Sequence, residues 1–283
     1  MVELVHALAA SPGVVGIVLG GSRARGRERE GSDIDLGLYY SADDFDWDAL
    51  VEVMRRHDDA GAPSGLASPG EWGPWMNGGA WLCVGGLAVD VLLRDAGFAE
   101  QTACEAREGR FSSNYLPGHP HGWQSFMLVS EIAHNVPLAG DEERLGKLRA
   151  LAEPYPEPLR AAILDRFLYE AHFSALLLGK LAGRNDLAQE IGLAHRGVLC
   201  LVHALFALNR VYLVNEKGSL EVAAGFPDLP DGGAERITAV LTAATPERRA
   251  ELLADLARET EALVRERMPS WSPSWNLSSF PTA

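Results

Sequence analysis

The chain has 283 residues, of which 47% are hydrophobic, and its 25 lysines and arginines against 39 aspartates and glutamates produce a formal net charge of −14. This length is sufficient for two domains or one large one, and this hydrophobic content can fill a core. The acidic balance argues against a protein that coats nucleic acid phosphates non-specifically. It favours small or cationic molecules as binding partners.

The positions of the cysteines and the composition of the N-terminal residues indicate the cellular compartment of the protein. Cys83, Cys104 and Cys200 lie far apart and form no Cys-x-x-Cys pair, so the sequence indicates neither a disulfide framework nor a zinc site. The first residues lack a basic n-region, and no apolar run is predicted to reach membrane-spanning length. We therefore expect a cytoplasmic protein with no membrane partner.

The first predicted elements are a short helix and a strand. Residues 2–10 carry apolar side chains at mostly helical spacing, and Ser11-Pro12-Gly13 ends that pattern. Residues 14–19 form a near-continuous apolar run of strand length, which Gly20-Gly21 interrupts. A strand followed by a Gly-Gly-Ser turn and a helix start can present free backbone N–H groups to a phosphate.

Two aspartates mark the beginning of the next predicted strand, residues 34–40. Asp33 and Asp35 are two residues apart, so in a strand they point to the same face. Neighbouring carboxylates repel, and each resists ionising unless a cation lies between them. Oxygen ligands of this kind suit Mg²⁺, which commonly bridges carboxylates and nucleotide phosphates.

Arginines alternate through the turn between these two elements. An arginine here can contact phosphate, and Arg23 is our candidate, while Arg27 and Arg29 are predicted to lie in a solvated loop. An acidic cluster at residues 43–48 precedes an apolar helical pattern. Because acids at a helix N-terminus offset its dipole, capping is favoured over a second metal site.

A hairpin is predicted after a loop of Gly, Pro and Ser composition at residues 62–79. Residues 81–84 and 87–93 are apolar runs that flank Gly85-Gly86, which is a strong hairpin signal. Asp90 lies in the otherwise apolar second strand. An unpaired carboxylate there is costly, so Asp90 requires a cation or a hydrogen-bond partner.

The run from Gly20 to Leu36 resembles the signature of the DNA polymerase β-like nucleotidyltransferase superfamily. The fuller pattern, Gly-Gly-Ser-x-Ala-x-Gly with Ser-Asp-x-Asp-Leu, is similar to the bacterial branch of aminoglycoside nucleotidyltransferases and of minimal nucleotidyltransferases from toxin–antitoxin pairs. Two elements in fixed register are harder to match by chance than one Gly-rich loop. The resemblance implies that Gly21 and Ser22 hold the triphosphate and that Asp33 and Asp35 bind metal.

The superfamily takes a third carboxylate from a later strand, and Asp90 matches that position. Three carboxylates, Asp33, Asp35 and Asp90, would then surround Mg²⁺, which neutralises the triphosphate and orients the α-phosphorus for in-line attack. Asp90 is also placed to help deprotonate an acceptor hydroxyl. The chain lacks the Lys-Ser/Thr ending of a Walker loop, so transfer of the γ-phosphate is the weaker interpretation.

Helical patterns dominate the remaining sequence. The predicted helices, the last of which restarts at Thr245-Pro246, are residues 94–110, 122–135, 159–181, 187–214 and 234–268, with a loop at 111–123. Several of them are apolar nearly all round, which indicates the core of a bundle.

The predicted fold class is α/β (α+β), with a small mixed β-sheet nucleotidyltransferase domain and flanking helices over residues 1–120. An all-α helical bundle domain with an irregular tail follows over residues 121–283. The chain breaks near residues 154–158, and the helix before that break fits either domain. This arrangement is similar to that of kanamycin nucleotidyltransferase, and the resemblance allows a homodimer.

Three residues of the predicted bundle are candidates for the site. Glu170 shares a helix face with Ser174 and is an alternative general base, while Lys180 can reach phosphate as a compact charge. Lys217 is the first choice for a triphosphate contact from this domain. A solvated helix face for Glu170 and Lys180, and capping of a helix C-terminus for Lys217, are the structural alternatives.

Two functions follow from the resemblance. In the first, Mg²⁺ and ATP, or another nucleoside triphosphate, serve to transfer AMP to a hydroxyl of a small molecule such as an aminoglycoside, which is a route to antibiotic resistance. In the alternative, the acceptor is a macromolecule, either a protein side chain or a tRNA end, as in toxin–antitoxin systems. The sequence has no basic stripe for tRNA, so a nucleic acid partner is not expected.

Overall fold

The structure, a computed structural model, describes residues 1–276, which form two compact units. The first unit contains Met1–Arg107 and Leu128–Pro154, and the second contains Glu108–Met127 and the described residues from Tyr155 onward. This division differs from the predicted boundary between residues 120 and 121. The last seven residues of the predicted irregular tail, 277–283, lie outside the described residues.

Eight strands occur within the described residues. They are β1 Val14–Leu19, β2 Ile34–Tyr40, β3 Ser64–Ala67, β4 Gly79–Val84, β5 Leu87–Asp95, β6 Ser113–Asn114, β7 Trp123–Gln124 and β8 Val136–Gly140.

Twelve helices occur in the same residues. They are α1 Val2–Ala9, α2 Gly21–Ala24, α3 Trp47–His57, α4 Gly73–Met76, α5 Ala96–Arg107, α6 Phe126–His134, α7 Glu142–Ala152, α8 Glu157–Gly179, α9 Leu187–Leu208, α10 Ser219–Ala223, α11 Gly233–Thr242 and α12 Pro246–Arg267.

Six strands of the first unit form one mixed sheet in the order β3-β4-β5-β2-β1-β8. β2 and β5 are parallel, and the other neighbouring pairs are antiparallel. The predicted strands at β1 and β2 and the predicted hairpin of β4 and β5 are confirmed. Two strands of this sheet were not predicted: β3 lies within the predicted loop at 62–79, and β8 pairs with β1 at the edge of the sheet.

One hydrophobic cluster of the first unit lies on one face of this sheet. Leu36 and Leu38 of β2 are fully buried together with Leu4 of α1 and with Leu50 and Met54 of α3. Burying a leucine side chain contributes about 1.5–3 kcal/mol to the free energy of unfolding, so packing on this face stabilises the two helices against the sheet. Since side chains alternate along a strand, Asp35 points to the opposite face.

The second unit is mainly a helical bundle in which α8, α9 and α12 pack against one another. By length and composition α9 could cross a membrane, but 72% of its most apolar stretch is buried inside the structure. The prediction that no apolar run reaches that length is therefore wrong. Burial at the centre of the bundle is sufficient to explain the composition of α9.

Two details correct the predicted bundle. The predicted loop at 111–123 contributes to a two-stranded ribbon of β6 and β7, so the unit is not all-α. α9 also ends at Leu208 and not at residue 214. Its last carbonyls, those of Ala207 and Leu208, accept hydrogen bonds of 3.1 and 2.7 Å from the buried guanidinium of Arg160, which satisfies groups that have no partner within the helix.

Candidate active site

The turn after β1 is fastened to the beginning of β2. The N–H of Gly20 donates to the carbonyl oxygen of Asp35 over 2.8 Å. Gly21 has a φ of +61°, and a Cβ at this position would lie 1.7 Å from Oδ2 of Asp35. Glycine is required here both by the backbone conformation and by the carboxylate that occupies the space of a side chain. The Gly-Gly pair is thus what allows Asp35 to lie against the turn, where Ser22 is half-buried in α2.

The three predicted carboxylates lie close together in the first unit. Asp35 and Asp90 are direct neighbours on the parallel strands β2 and β5, and Asp33 is exposed just before β2. Burial raises the pKa of Asp35, and the carboxylates of Asp33 and Glu131 raise it further. Burial, then Asp35 and Asp33, raise the pKa of Asp90 to about 6. Such mutual repulsion identifies a cluster with surplus negative charge.

Two arginines offset part of this charge. Arg25 and Arg23 act to lower the pKa of Asp35, but less strongly than burial and the neighbouring carboxylates raise it. Nε of Arg25 donates to the carbonyl oxygen of Gly21 over 3.1 Å. The guanidinium of Arg23 donates to the carbonyl oxygens of Ser32 at 2.7 Å and of Asp33 at 3.1 Å, so it holds the loop that carries Asp33. A phosphate contact by Arg23 stays a prediction, and the position of Arg25 beside Asp35 was missed.

Glu131 of α6 is a further carboxylate that was not predicted. It accepts hydrogen bonds of 2.8 and 3.1 Å from the guanidinium of Arg94 on β5, whose side chain is only 6% exposed. The sequence did contain a signal for such a partner, because Arg94 lies in an apolar strand and a buried arginine requires a carboxylate. The sequence did not indicate which carboxylate this was. The charge of Glu131 reaches Asp35, so it adds to the negative potential of the cluster.

The donor chemistry of this cluster fits a divalent cation. Within residues 1–276, no three His, Cys, Asp or Glu side chains are arranged to hold a metal ion together. Mg²⁺, however, usually binds one or two protein carboxylates and completes its shell with substrate phosphates and water. The paired carboxylates of Asp35 and Asp90, with Asp33 beside them, meet that requirement. They would hold the ion together with a triphosphate.

The other predicted residues belong to the second unit. Lys180 is exposed directly after α8, and Lys217 is exposed in the turn between α9 and α10. Because α9 ends well before Lys217, the interpretation of Lys217 as a helix cap is wrong. Both carboxylate oxygens of Glu170 already accept hydrogen bonds from guanidinium groups, one from Arg166 and one from Arg196. The roles of Glu170, Lys180 and Lys217 stay predictions.

The first comparison with known proteins concerns this turn and strand. Residues 3–61 match the model of the Nucleotidyltransferase domain family. The chain carries a nucleotidyltransferase domain. The predicted nucleotidyltransferase superfamily and enzyme class are therefore confirmed. The narrower aminoglycoside branch is not shown. The match includes the Gly21 turn, Asp33 and Asp35 of the nucleotidyltransferase domain and ends before Asp90.

Comparisons over the whole chain add little. No curated protein matches the chain. Among solved structures, it is similar to a nucleotidyltransferase-like protein from Exiguobacterium sibiricum 255-15, a crystal structure at 1.90 Å resolution. That likeness has 17% sequence identity and a TM-score of 0.33, and it covers 95% of this chain and 79% of the other. A TM-score of this size does not establish a common fold.

Proposed function

We propose that this chain transfers a nucleoside monophosphate, AMP in the first instance, from a nucleoside triphosphate to a hydroxyl group of a small molecule. The observation that supports this is the pairing of Asp35 with Asp90 beside the Gly21 turn. A glycine turn that can receive phosphate next to carboxylates that can hold a cation is the combination that a metal–triphosphate complex requires.

The residues have separate roles in this proposal. Gly21 and Ser22 receive the triphosphate, while Asp33, Asp35 and Asp90 hold Mg²⁺. When bound, Mg²⁺ neutralises phosphate charge and favours in-line displacement. Arg23, Lys180 and Lys217 are the proposed additional phosphate contacts.

The proton of the acceptor hydroxyl passes to Asp90. Asp90 lies beside Asp35 in the carboxylate cluster, so its carboxylate is placed to accept this proton by general-base catalysis. The acceptor oxygen forms a bond to the α-phosphorus, the bond from that phosphorus to the β-phosphate oxygen breaks, and pyrophosphate leaves. Glu170 is the alternative base.

The acceptor class is proposed from charge. A net charge of −14 would attract a polycationic acceptor, and an aminoglycoside-type antibiotic is such a molecule. Antibiotic resistance, a cytoplasmic location and a homodimer belong to the same proposal.

Pyrophosphate release tests this function. Each common nucleoside triphosphate is supplied with Mg²⁺ against a panel of aminoglycosides and lincosamides, with purified tRNA and a mixed protein extract as separate acceptors. Release that requires one small molecule supports the proposal and identifies the substrate. Release only with tRNA or protein moves the acceptor to the macromolecular class, and undiminished release by the Asp33→Ala/Asp35→Ala variant contradicts the mechanism.

A further inference from the structure

A cavity of about 210 Å³ lies within the second unit, and we call it the arginine pocket. The β6–β7 ribbon supplies Asn114 and Gln124 to its wall, α8 supplies Arg166 and Glu170, and α9 supplies Arg196. Sites for drug-sized ligands have volumes of roughly 300–1,000 Å³. The arginine pocket therefore accommodates a small molecule or one substituent of a larger one.

The positive and negative charges of the side chains that line the pocket are unequal in number. Nε of Arg166 donates to Oε1 of Glu170 over 3.0 Å, and the guanidinium of Arg196 donates to Oε2. The arginine side chains are 45% and 42% exposed, while Glu170 is 15% exposed. Each guanidinium carries five N–H donors, so a single carboxylate cannot use the donors of both. Two cations and one anion leave a surplus positive charge in a chain whose net charge is −14.

The remaining groups at the pocket add hydrogen-bonding capacity and no charge. Burial, with a contribution from Arg196, lowers the pKa of His121 to about 4, so this ring is neutral at pH 7. Gln124 is buried, and its Oε1 accepts a hydrogen bond of 2.6 Å from Oγ of Ser113.

Cys200 lies directly behind Glu170. Its thiol donates to Oε2 of Glu170 over 3.7 Å. Burial, and then the charge of Glu170, hold the pKa of this thiol well above its ordinary value. A buried thiol of this kind is not a nucleophile, so its contact with Glu170 is structural.

We propose that the arginine pocket binds a small oxyanion, a carboxylate or phosphate group, through Arg166 and Arg196. The planar guanidinium fork matches both groups, which it can bind with paired hydrogen bonds. Glu170 accepts hydrogen bonds from both guanidinium groups, so its carboxylate competes with the ligand for their donors. The proposal rests on contacts within the second unit, and it holds whether or not Glu170 is also the alternative base of the proposed nucleotidyl transfer.

The test is isothermal titration calorimetry of the full chain at neutral pH, with inorganic phosphate, malonate and uncharged glucose as probes. EDTA is included so that the Asp35–Asp90 pair cannot recruit phosphate through a divalent cation. We expect Arg166→Gln and Arg196→Gln each to weaken anion binding about tenfold or more. Glu170→Gln strengthens binding several-fold, because the competing carboxylate is lost.

A matched control is available on α12. Arg258 is exposed and pairs only with Asp255 of its own helix among the contacts of the described residues. Arg258→Gln therefore removes one positive charge without touching the pocket, and the affinity for anions should be unchanged. Thermal unfolding of each variant establishes that it is folded. Glu170→Gln keeps the shape of the side chain, so it tests the proposal even where an arginine variant does not fold.

The outcomes are distinct. Binding of malonate alone assigns a carboxylate ligand, and binding of phosphate alone assigns a phosphate ligand. The proposal is overturned by wild-type protein that binds neither anion, by equal affinity in wild type and folded Arg196→Gln, or by weaker binding in Glu170→Gln. Because nucleotide and Mg²⁺ are absent, none of these results depends on whether the chain transfers nucleotides.

Discussion

Two charged clusters, one in each unit, differ in how their charge is balanced. In the first unit, Asp35 and Asp90 are neighbours, and nearby arginines offset only part of their repulsion. In the second unit, Glu170 contacts two guanidinium groups and leaves a positive surplus. The first cluster therefore favours a cation and the second an anion. A surplus of charge, which a closed structural ion pair lacks, is what marks both as candidate binding sites.

The largest expected effect concerns the carboxylate cluster. Asp35→Asn should lower the rate of pyrophosphate release about a thousandfold, which corresponds to roughly 4 kcal/mol of transition-state stabilisation. Asp43→Asn is the control, since Asp43 is exposed in the same unit and outside the cluster. If both variants retain the wild-type rate, the surplus negative charge of the first unit does not serve catalysis.

The next prediction compares a glutamate of each unit. Glu131→Gln leaves the buried guanidinium of Arg94 without its carboxylate, and we expect a loss of about 3 kcal/mol in the free energy of unfolding. Glu170→Gln should cost less than about 1 kcal/mol, because both of its arginine partners are accessible to water. Urea denaturation measures both values. Equal losses would show that Glu170 is part of a closed structural pair and would remove the contrast between the two clusters.

Two glycines with the same φ angle allow the effect of backbone strain to be distinguished from the effect of a contact with Asp35. Gly21 and Gly26 both have a φ of +61°, but a Cβ at Gly21 would overlap the carboxylate of Asp35, while one at Gly26 meets nothing within 4 Å. Gly21→Ala should cost about 2 kcal/mol of stability and lower nucleotidyl transfer, and Gly26→Ala about 1 kcal/mol. Thermal unfolding and pyrophosphate release measure the two effects. Equal behaviour of the variants would mean that the contact with Asp35 is not required.

The smallest expected effect is a pH dependence. The folded-state pKa of Asp90 is raised to about 6, so its stabilising contribution is complete below the unfolded pKa near 4 and is lost as the pH rises through 6. In EDTA, Asp90→Asn should therefore be more stable than wild type at pH 7.5, by on the order of 1 kcal/mol after solvent screening. The difference should shrink as the pH falls toward 4. A variant that is less stable than wild type at pH 7.5 would contradict the repulsion inferred for this cluster.

Much of the first unit was predictable because its signals are local. β1 and β2 lie at the predicted residues, and the hairpin turns at Gly85-Gly86. Asp46 caps α3 by accepting a hydrogen bond of 2.9 Å from the N–H of Ala49. The motif from Gly20 to Leu36 predicted a domain that the family match at residues 3–61 supports. Periodicity, turn residues and caps act over a few positions, so the sequence alone carries them.

The tertiary structure decided the features that join distant parts of the chain. The pairing of β8 with β1 and the ion pair of Arg94 with Glu131 could not be read from any local pattern. The same is true of the contact between Glu170 and Arg196, which lies on a different helix, whereas Arg166 is four residues before Glu170 on α8 and is a local partner. By itself the sequence determined which strand carries Asp35 and that glycine precedes it. Which charges stay unbalanced depends on packing between elements, because only packing sets the burial and the neighbours that each charged group meets.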